Sequence, residues 1–229
     1  LGLEFNPTTT QIEDHDAWSE WFSIVRRINV ILLDLDVDAW EYISRGYFAQ
    51  RKKAGEVGSS TMPHKVNPIK FENSEGNLVL ADGLLATLSE RLCHSRMQRD
   101  LSDSTVVRNV GVALAHSHLA WQETLAGLGR IELDAAACRA ELEREPQLLA
   151  EPYQIVLRRA GRKDAYDQLK VLTRGRAVAL DDFRRLLEAG GIDETLKARL
   201  RALDVPGYVG LAPRVCRAAR AAAEKELAQ

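Results

Sequence analysis

Eleven consecutive residues, Gly58-Ser59-Ser60-Thr61-Met62-Pro63-His64-Lys65-Val66-Asn67-Pro68, gather hydroxyls, a cation, an amide and two prolines. A connection that only turned the chain would need glycine, proline and a few polar residues. This run also carries groups suited to taking a proton and holding an anion. Read in pieces, Gly-Ser-Ser is ordinary loop chemistry. Asn67 before Pro68 reads equally well as a helix cap with proline at the first helical position.

A second group stands at Arg99, Ser104 and Arg108. Ser104 and Arg108 are four apart and share a helix face, and Arg99 in the preceding turn can fold back toward them. Arginine forks suit a phosphate dianion. The alternative use of these arginines is pairing with Asp100 and Asp103.

Long helices must carry both groups. From Asp16 to about Ser44, Trp18, Trp21, Val25, Ile28, Leu32 and Leu35 recur at spacings of three and four, the stripe of a helix buried against others. About thirty residues at 1.5 Å rise make a rod of roughly 45 Å, the length of a long bundle. Residues 45–58 read as a mobile connection. A second helix is expected from Asn67-Pro68 to about Leu92, with Gly76, Ala81, Gly83 and Ala86 permitting close approach. A third is expected from Ser104 to Leu128. Beyond Gly129, proline and glycine break the pattern into short helices. The spacing therefore predicts an all-α chain: residues 1–130 belong to a long-helix bundle with a loop at 55–68, and 131–229 form a smaller helical domain.

Composition narrows the function classes. A formal charge of −2 over 229 residues makes no case for nucleic-acid binding. No apolar run of about eighteen residues predicts a membrane span. Cys93, Cys138 and Cys216 show no metal-ligand spacing and fit reduced thiols in a cytoplasmic protein. The first residues form no signal peptide, and without an initiator methionine the chain reads as a piece of something longer.

The run 58–68 resembles the signature loop of the fumarase/aspartase superfamily, whose members release fumarate by β-elimination. Phe71-Glu72-Asn73-Ser74-Glu75-Gly76-Asn77 and the segment from Arg99 to Asn109 narrow the resemblance to the adenylosuccinate lyases of bacterial type, over essentially the whole chain. The resemblance implies that Ser59 is the general base, activated as Gly55 and Gly58 let the loop close. It places Ser60, Lys65 and Asn67 on the substrate, the last two at the succinyl part, and Gln11 of Thr9-Thr10-Gln11 beside it. It gives Arg99, Ser104 and Arg108 to the 5′-phosphate of a nucleotide. It further implies no metal or organic cofactor, and a homotetramer whose active sites are shared between subunits.

The same family takes its general acid from an upstream histidine that these residues lack, so the 229 residues alone are expected to be inactive. Glu72 reads equally as an orienting group or a packed glutamate, and His15 as a structural or solvated one. Two other readings remain at this point. One is another fumarate-releasing lyase, against which the three phosphate candidates argue. The other is a non-catalytic scaffold of the same fold, against which the intact loop argues.

Overall fold

The computed structural model describes residues 5–51, 67–175, 178–188 and 192–228. Ser59, Ser60, His64 and Lys65 lie outside the described residues, as does the expected mobility of their loop. The chain divides into two compact units, Leu1–Asp134 and Ala135–Gln229.

The first unit is built on three long helices. Helix α1 spans Asp16–Ser44, the range that the apolar recurrence predicts. Asp16 in its first turn faces the positive end of the helix dipole. Gly46 ends it in a left-handed conformation (φ 77°), with its N–H on Ile43 O at 3.0 Å and the Tyr47 N–H on Tyr42 O at 2.8 Å. Those two bonds satisfy carbonyls that the last turn would otherwise leave open, at a backbone angle glycine adopts without strain. A short strand, β1 (Phe48–Gln50), follows. Helix α2 covers Ile69–Arg91, and Pro68 rather than Asn67 occupies its N-cap position, one residue later than predicted.

The expected third helix is two. Helix α3 (Ser102–Val107) and helix α4 (Val110–Leu128) are separated at Arg108-Asn109. Strand β2 (Ile131–Leu133) then pairs antiparallel with β1, Phe48 opposite Leu133 and Gln50 opposite Ile131. The segment read as a connection at 45–58 thus begins with a strand, too short for alternation to reveal.

Helices α1, α2 and α4 pack together around Phe22, Val25, Leu85, Leu88 and Ala113. Each such buried large aliphatic or aromatic side chain contributes about 1.5–3 kcal/mol. The face of α1 that meets its neighbours carries Phe22, Val25, Asn29, Asp36 and Ala39. That differs from the predicted stripe: Trp18, Trp21, Ile28 and Leu35 are 42%, 46%, 42% and 39% exposed. Helix α1 is apolar on more than one side, and α2 and α4 cover only one of them.

Close approach comes from Ala81, fully buried, and from Gly127, whose hypothetical Cβ would lie 2.8 Å from the Phe71 ring. Gly76 and Gly83 meet nothing within 4 Å among the described residues of this chain.

The second unit contains α5 (Ala135–Glu143), a 3-10 turn (Pro146–Leu149), α6 (Ala150–Arg159), α7 (Ala165–Thr173), α8 (Leu180–Leu187), α9 (Glu194–Arg201) and α10 (Ala212–Leu227). Tyr153 centres its core, with its ring 5.2 Å from that of Phe183 and its hydroxyl donating to Leu200 O at 3.1 Å. Every residue of α10 is exposed.

Candidate functional site

Four of the candidate residues lie in the segments before α1 and after α2, which are tied to one another through Thr10 and, at the end of α2, through Arg91. Thr10 Oγ1 donates to Gln98 O at 2.9 Å, which ties the segment bearing Gln11 to the turn bearing Arg99. Gln11 and Arg99 are both exposed. Ser104 sits in α3, where its hydroxyl donates to Leu101 O at 2.7 Å and keeps its lone pairs available to a further donor. Arg108 follows as the C-cap of α3 and is exposed.

The acids that could have absorbed these arginines are otherwise engaged. Asp100 lies 3.5 Å from Arg91 and 3.6 Å from Arg96. Hydrogen bonds from the Ser102 hydroxyl and N–H, joined by those two arginines, hold the Asp100 carboxyl below its ordinary value. Asp103 Oδ1 accepts the Ser104 N–H at 2.7 Å. Among the described residues neither Arg99 nor Arg108 is held in an ion pair, so both guanidinium groups are available for an anion.

The other end of α2 carries the signature run. Asn67 is half-buried two residues before the helix. Glu72 Oε1 accepts the Trp40 indole N–H at 2.9 Å. Lys70 Nζ contacts both Glu123 carboxylate oxygens, at 2.9 and 2.8 Å, and binds the start of α2 to α4. The ribbon holds the chain just upstream of the run: the Arg51 N–H donates to Arg130 O at 2.8 Å, and Arg51 pairs with Glu132.

The two groups are therefore far apart in one chain. Helix α2 is 23 residues long, and at 1.5 Å per residue it separates Asn67 from the Arg99–Arg108 turn by roughly 35 Å. That distance is longer than a mononucleotide.

His15 has a left-handed backbone (φ 63°) and lies edge-on to Trp18 at 5.6 Å, the packed role allowed for it. Sequence reasoning missed the polar groups inside the bundle. Asn29 Nδ2 donates to Asp82 Oδ1 and Ser117 Oγ, each at 2.9 Å, and its Oδ1 accepts the Trp121 indole N–H at 2.8 Å. Two turns further, Thr124 Oγ1 donates to Asp36 Oδ2 at 3.1 Å and contacts Ser74 Oγ at 2.8 Å. The available signal was the placement of Asn29 and Asp36 seven apart, in line with Phe22 and Val25.

Among the described residues, no group of three His, Cys, Asp or Glu side chains could hold a metal ion, and no helix is long and apolar enough to cross a membrane.

Comparison with known proteins gives these positions a context. A family model described as "Adenylosuccinate lyase C-terminal" matches residues 95–209, and one described as "Lyase" matches residues 1–82. The adenylosuccinate lyase of Vibrio cholerae serotype O1 is 49% identical over 212 residues, covering 93% of this chain and 46% of that protein. That of Escherichia coli K12 is 48% identical with the same coverage. That of Legionella pneumophila strain Corby is 48% identical over 218 residues. The chain thus spans about half the length of the curated relatives it matches.

Among solved structures, the 3-carboxy-cis,cis-muconate lactonizing enzyme of Pseudomonas putida is similar with a TM-score of 0.69 at 27% identity, over 93% of this chain and 48% of that one. The fumarate lyase:delta crystallin of Brucella melitensis, at 22% identity and a TM-score of 0.58, shares the fold over 87% of this chain and 43% of its own. A family match across half of the residues, and relatives nearly half identical along almost all of them, lead to one conclusion: the chain belongs to the adenylosuccinate lyase family.

Proposed function

We propose that this chain supplies the elimination loop and the phosphate end of an enzyme that splits adenylosuccinate into AMP and fumarate, and likewise releases fumarate from the related succinyl-carboxamide ribotide of purine biosynthesis. The observation that carries this reading is the intact run from Ser59 to Pro68 in a member of the family.

In the elimination, Ser59 takes the proton from the carbon beside a succinyl carboxylate. The electron pair left on that carbon forms the new double bond as the bond from the neighbouring carbon to nitrogen breaks. The nitrogen leaves on the nucleotide and accepts a proton from an acid. Lys65 and Asn67 bind the carboxylate next to the developing carbanion, where fixed donors stabilise charge most. Ser60 and Gln11 orient the substrate. Arg99 and Arg108 clasp the phosphate, with Ser104 adding a hydroxyl. No metal or organic cofactor takes part.

The roughly 35 Å between Asn67 and the Arg99–Arg108 turn supports a site shared between copies, in which one subunit presents the succinyl end and another the phosphate end. The exposed Trp18, Trp21, Ile28 and Leu35 on α1 support a bundle of several chains, here proposed as a homotetramer in the cytoplasm. By itself the described chain lacks the acid and is proposed to be inactive.

The test is fumarate release from adenylosuccinate by the full-length protein that contains this chain, beside its Ser59→Ala variant. Activity with a loss of about a hundredfold or more in the variant supports both substrate and base. A folded, tetrameric and inactive protein sinks the reading.

A further inference from the structure

One buried carboxyl takes no part in the chemistry above. Asp36 of α1 is 1% exposed, and it meets Thr124 of α4, which meets Ser74 of α2; both hydroxyl residues are equally buried. Three helices thus converge on one short chain of polar atoms. The next turn of α1 presents Trp40, whose indole holds Glu72. Next to Thr124, Glu123 pairs with Lys70. The hydrogen-bonded chain sits directly beneath the first turns of α2, which carry Asn67 at their entrance.

Resting on the lyase reading, we propose that Asp36 is a positioning residue: its junction with Thr124 and Ser74 fixes the height of α2, and with it Asn67 at the active site. Apolar packing alone tolerates sliding between helices, whereas a buried polar chain is satisfied in one register only. A slip of one turn would carry Ser74 about 5.4 Å from Thr124.

The junction works with Asp36 as the neutral acid. Among the described residues, the buried Oδ1 has no hydrogen-bond partner. A carboxylate there would leave a charged oxygen unsolvated, while an acid leaves only a carbonyl oxygen open, a smaller penalty. As the neutral acid, Asp36 carries its proton on Oδ2 and donates it to Thr124 Oγ1, the reverse of the direction in which Thr124 donates to a carboxylate there; Thr124 then donates to Ser74. Burial pushes the Asp36 carboxyl up, against the hydrogen bonds of Ser74 and Thr124, and the charge of Glu75 on α2 adds to the push. Glu123 on α4 is already offset by Lys70.

The experiment compares fumarate release from adenylosuccinate and amide exchange of residues 69–74 in the full-length protein and three variants. Asp36→Asn, which offers a donor and a carbonyl as the acid does, keeps kcat within about threefold and keeps the exchange protection. Asp36→Leu, similar in size, lowers kcat by about ten- to a hundredfold with little change in KM, and speeds exchange in 69–74. Thr124→Val removes the relay hydroxyl at constant shape and behaves like the leucine variant, replacing it if that variant does not fold. A folded Asp36→Leu or Thr124→Val protein with unchanged kcat and exchange overturns the proposal, as does an asparagine variant as slow as the leucine one. An inactive wild-type protein sinks the lyase reading instead, and the exchange comparison then decides the junction alone.

Discussion

Thr10 and Gln98, far apart in sequence, share a hydrogen bond of 2.9 Å, so the two candidate ligands that follow them, Gln11 and Arg99, are held by one link. Removing it with Thr10→Val loosens both. One neutral hydrogen bond contributes about 1 kcal/mol, so KM for adenylosuccinate should rise about fivefold with kcat nearly unchanged. Steady-state kinetics on the full-length protein checks this; an unchanged KM would show that Gln11 and Arg99 need no such tie.

Arg108 is expected to read the phosphate and nothing else. Arg108→Ala should lower kcat/KM for adenylosuccinate by roughly ten- to a hundredfold, the range for a hydrogen bond to a charged group. The same variant should treat the dephosphorylated nucleoside substrate as the wild-type protein does. Equal losses on both would assign Arg108 to some other part of the molecule.

Separation of the two groups along α2 predicts complementation. Ser59→Ala and Arg108→Ala proteins, each impaired, should regain activity when mixed, dissociated and reassembled, because some sites then receive an intact loop from one copy and an intact arginine from another. Mixed tetramers no more active than their parents would place both residues of each site on a single chain.

Gly127 marks a tight approach of α4 to α2. A methyl group there would sit 2.8 Å from the Phe71 ring, so Gly127→Ala should destabilise the first unit by about 1–3 kcal/mol. Pairing it with Phe71→Leu should recover part of that loss. Denaturant midpoints of the two variants and the double variant measure the coupling.

Asp36 gives the bundle a pH dependence with a definite sign. Its folded value is raised above the unfolded one, so the stability it contributes is present at acid pH and is lost as pH rises through the folded value. Asp36→Asn should therefore gain stability relative to wild type as pH climbs above the ordinary carboxylate range of about 4. Urea midpoints taken across that range test it; a constant difference between the two proteins would mean that Asp36 does not titrate there.

Much of the frame is legible in the sequence. Helix α1 begins and ends where its apolar recurrence does, because twenty-nine residues of repeating pattern average out local noise. The break after α3 was not readable, since Arg108 and Asn109 carry none of the glycine or proline that usually marks a joint. The inward face of α1 was misjudged because large apolar residues line more than one side, and periodicity does not say which side meets its own chain. Asn29 and Asp36 escaped notice for a related reason. A polar residue on a helix is read as solvated until its partners, here Trp121 and Thr124, are seen. At the site, residue types were legible and their distances were not: nothing in the spacing of Asn67 and Arg108 says that a straight helix holds them apart.

The small ribbon of β1 and β2 bears on the order in which the molecule assembles. Phe48 and Leu133 are among the most distant partners in the first unit, and three residue pairs cannot offset the entropy of closing so long a stretch of chain. Helices α2 and α4 must already have docked to bring those ends together. The ribbon is thus a late event, and the root of the signature run at Arg51 takes its place only after the bundle is complete. A chain still emerging from the ribosome holds every residue of the run 58–68 before it holds β2, the strand with which β1 must pair.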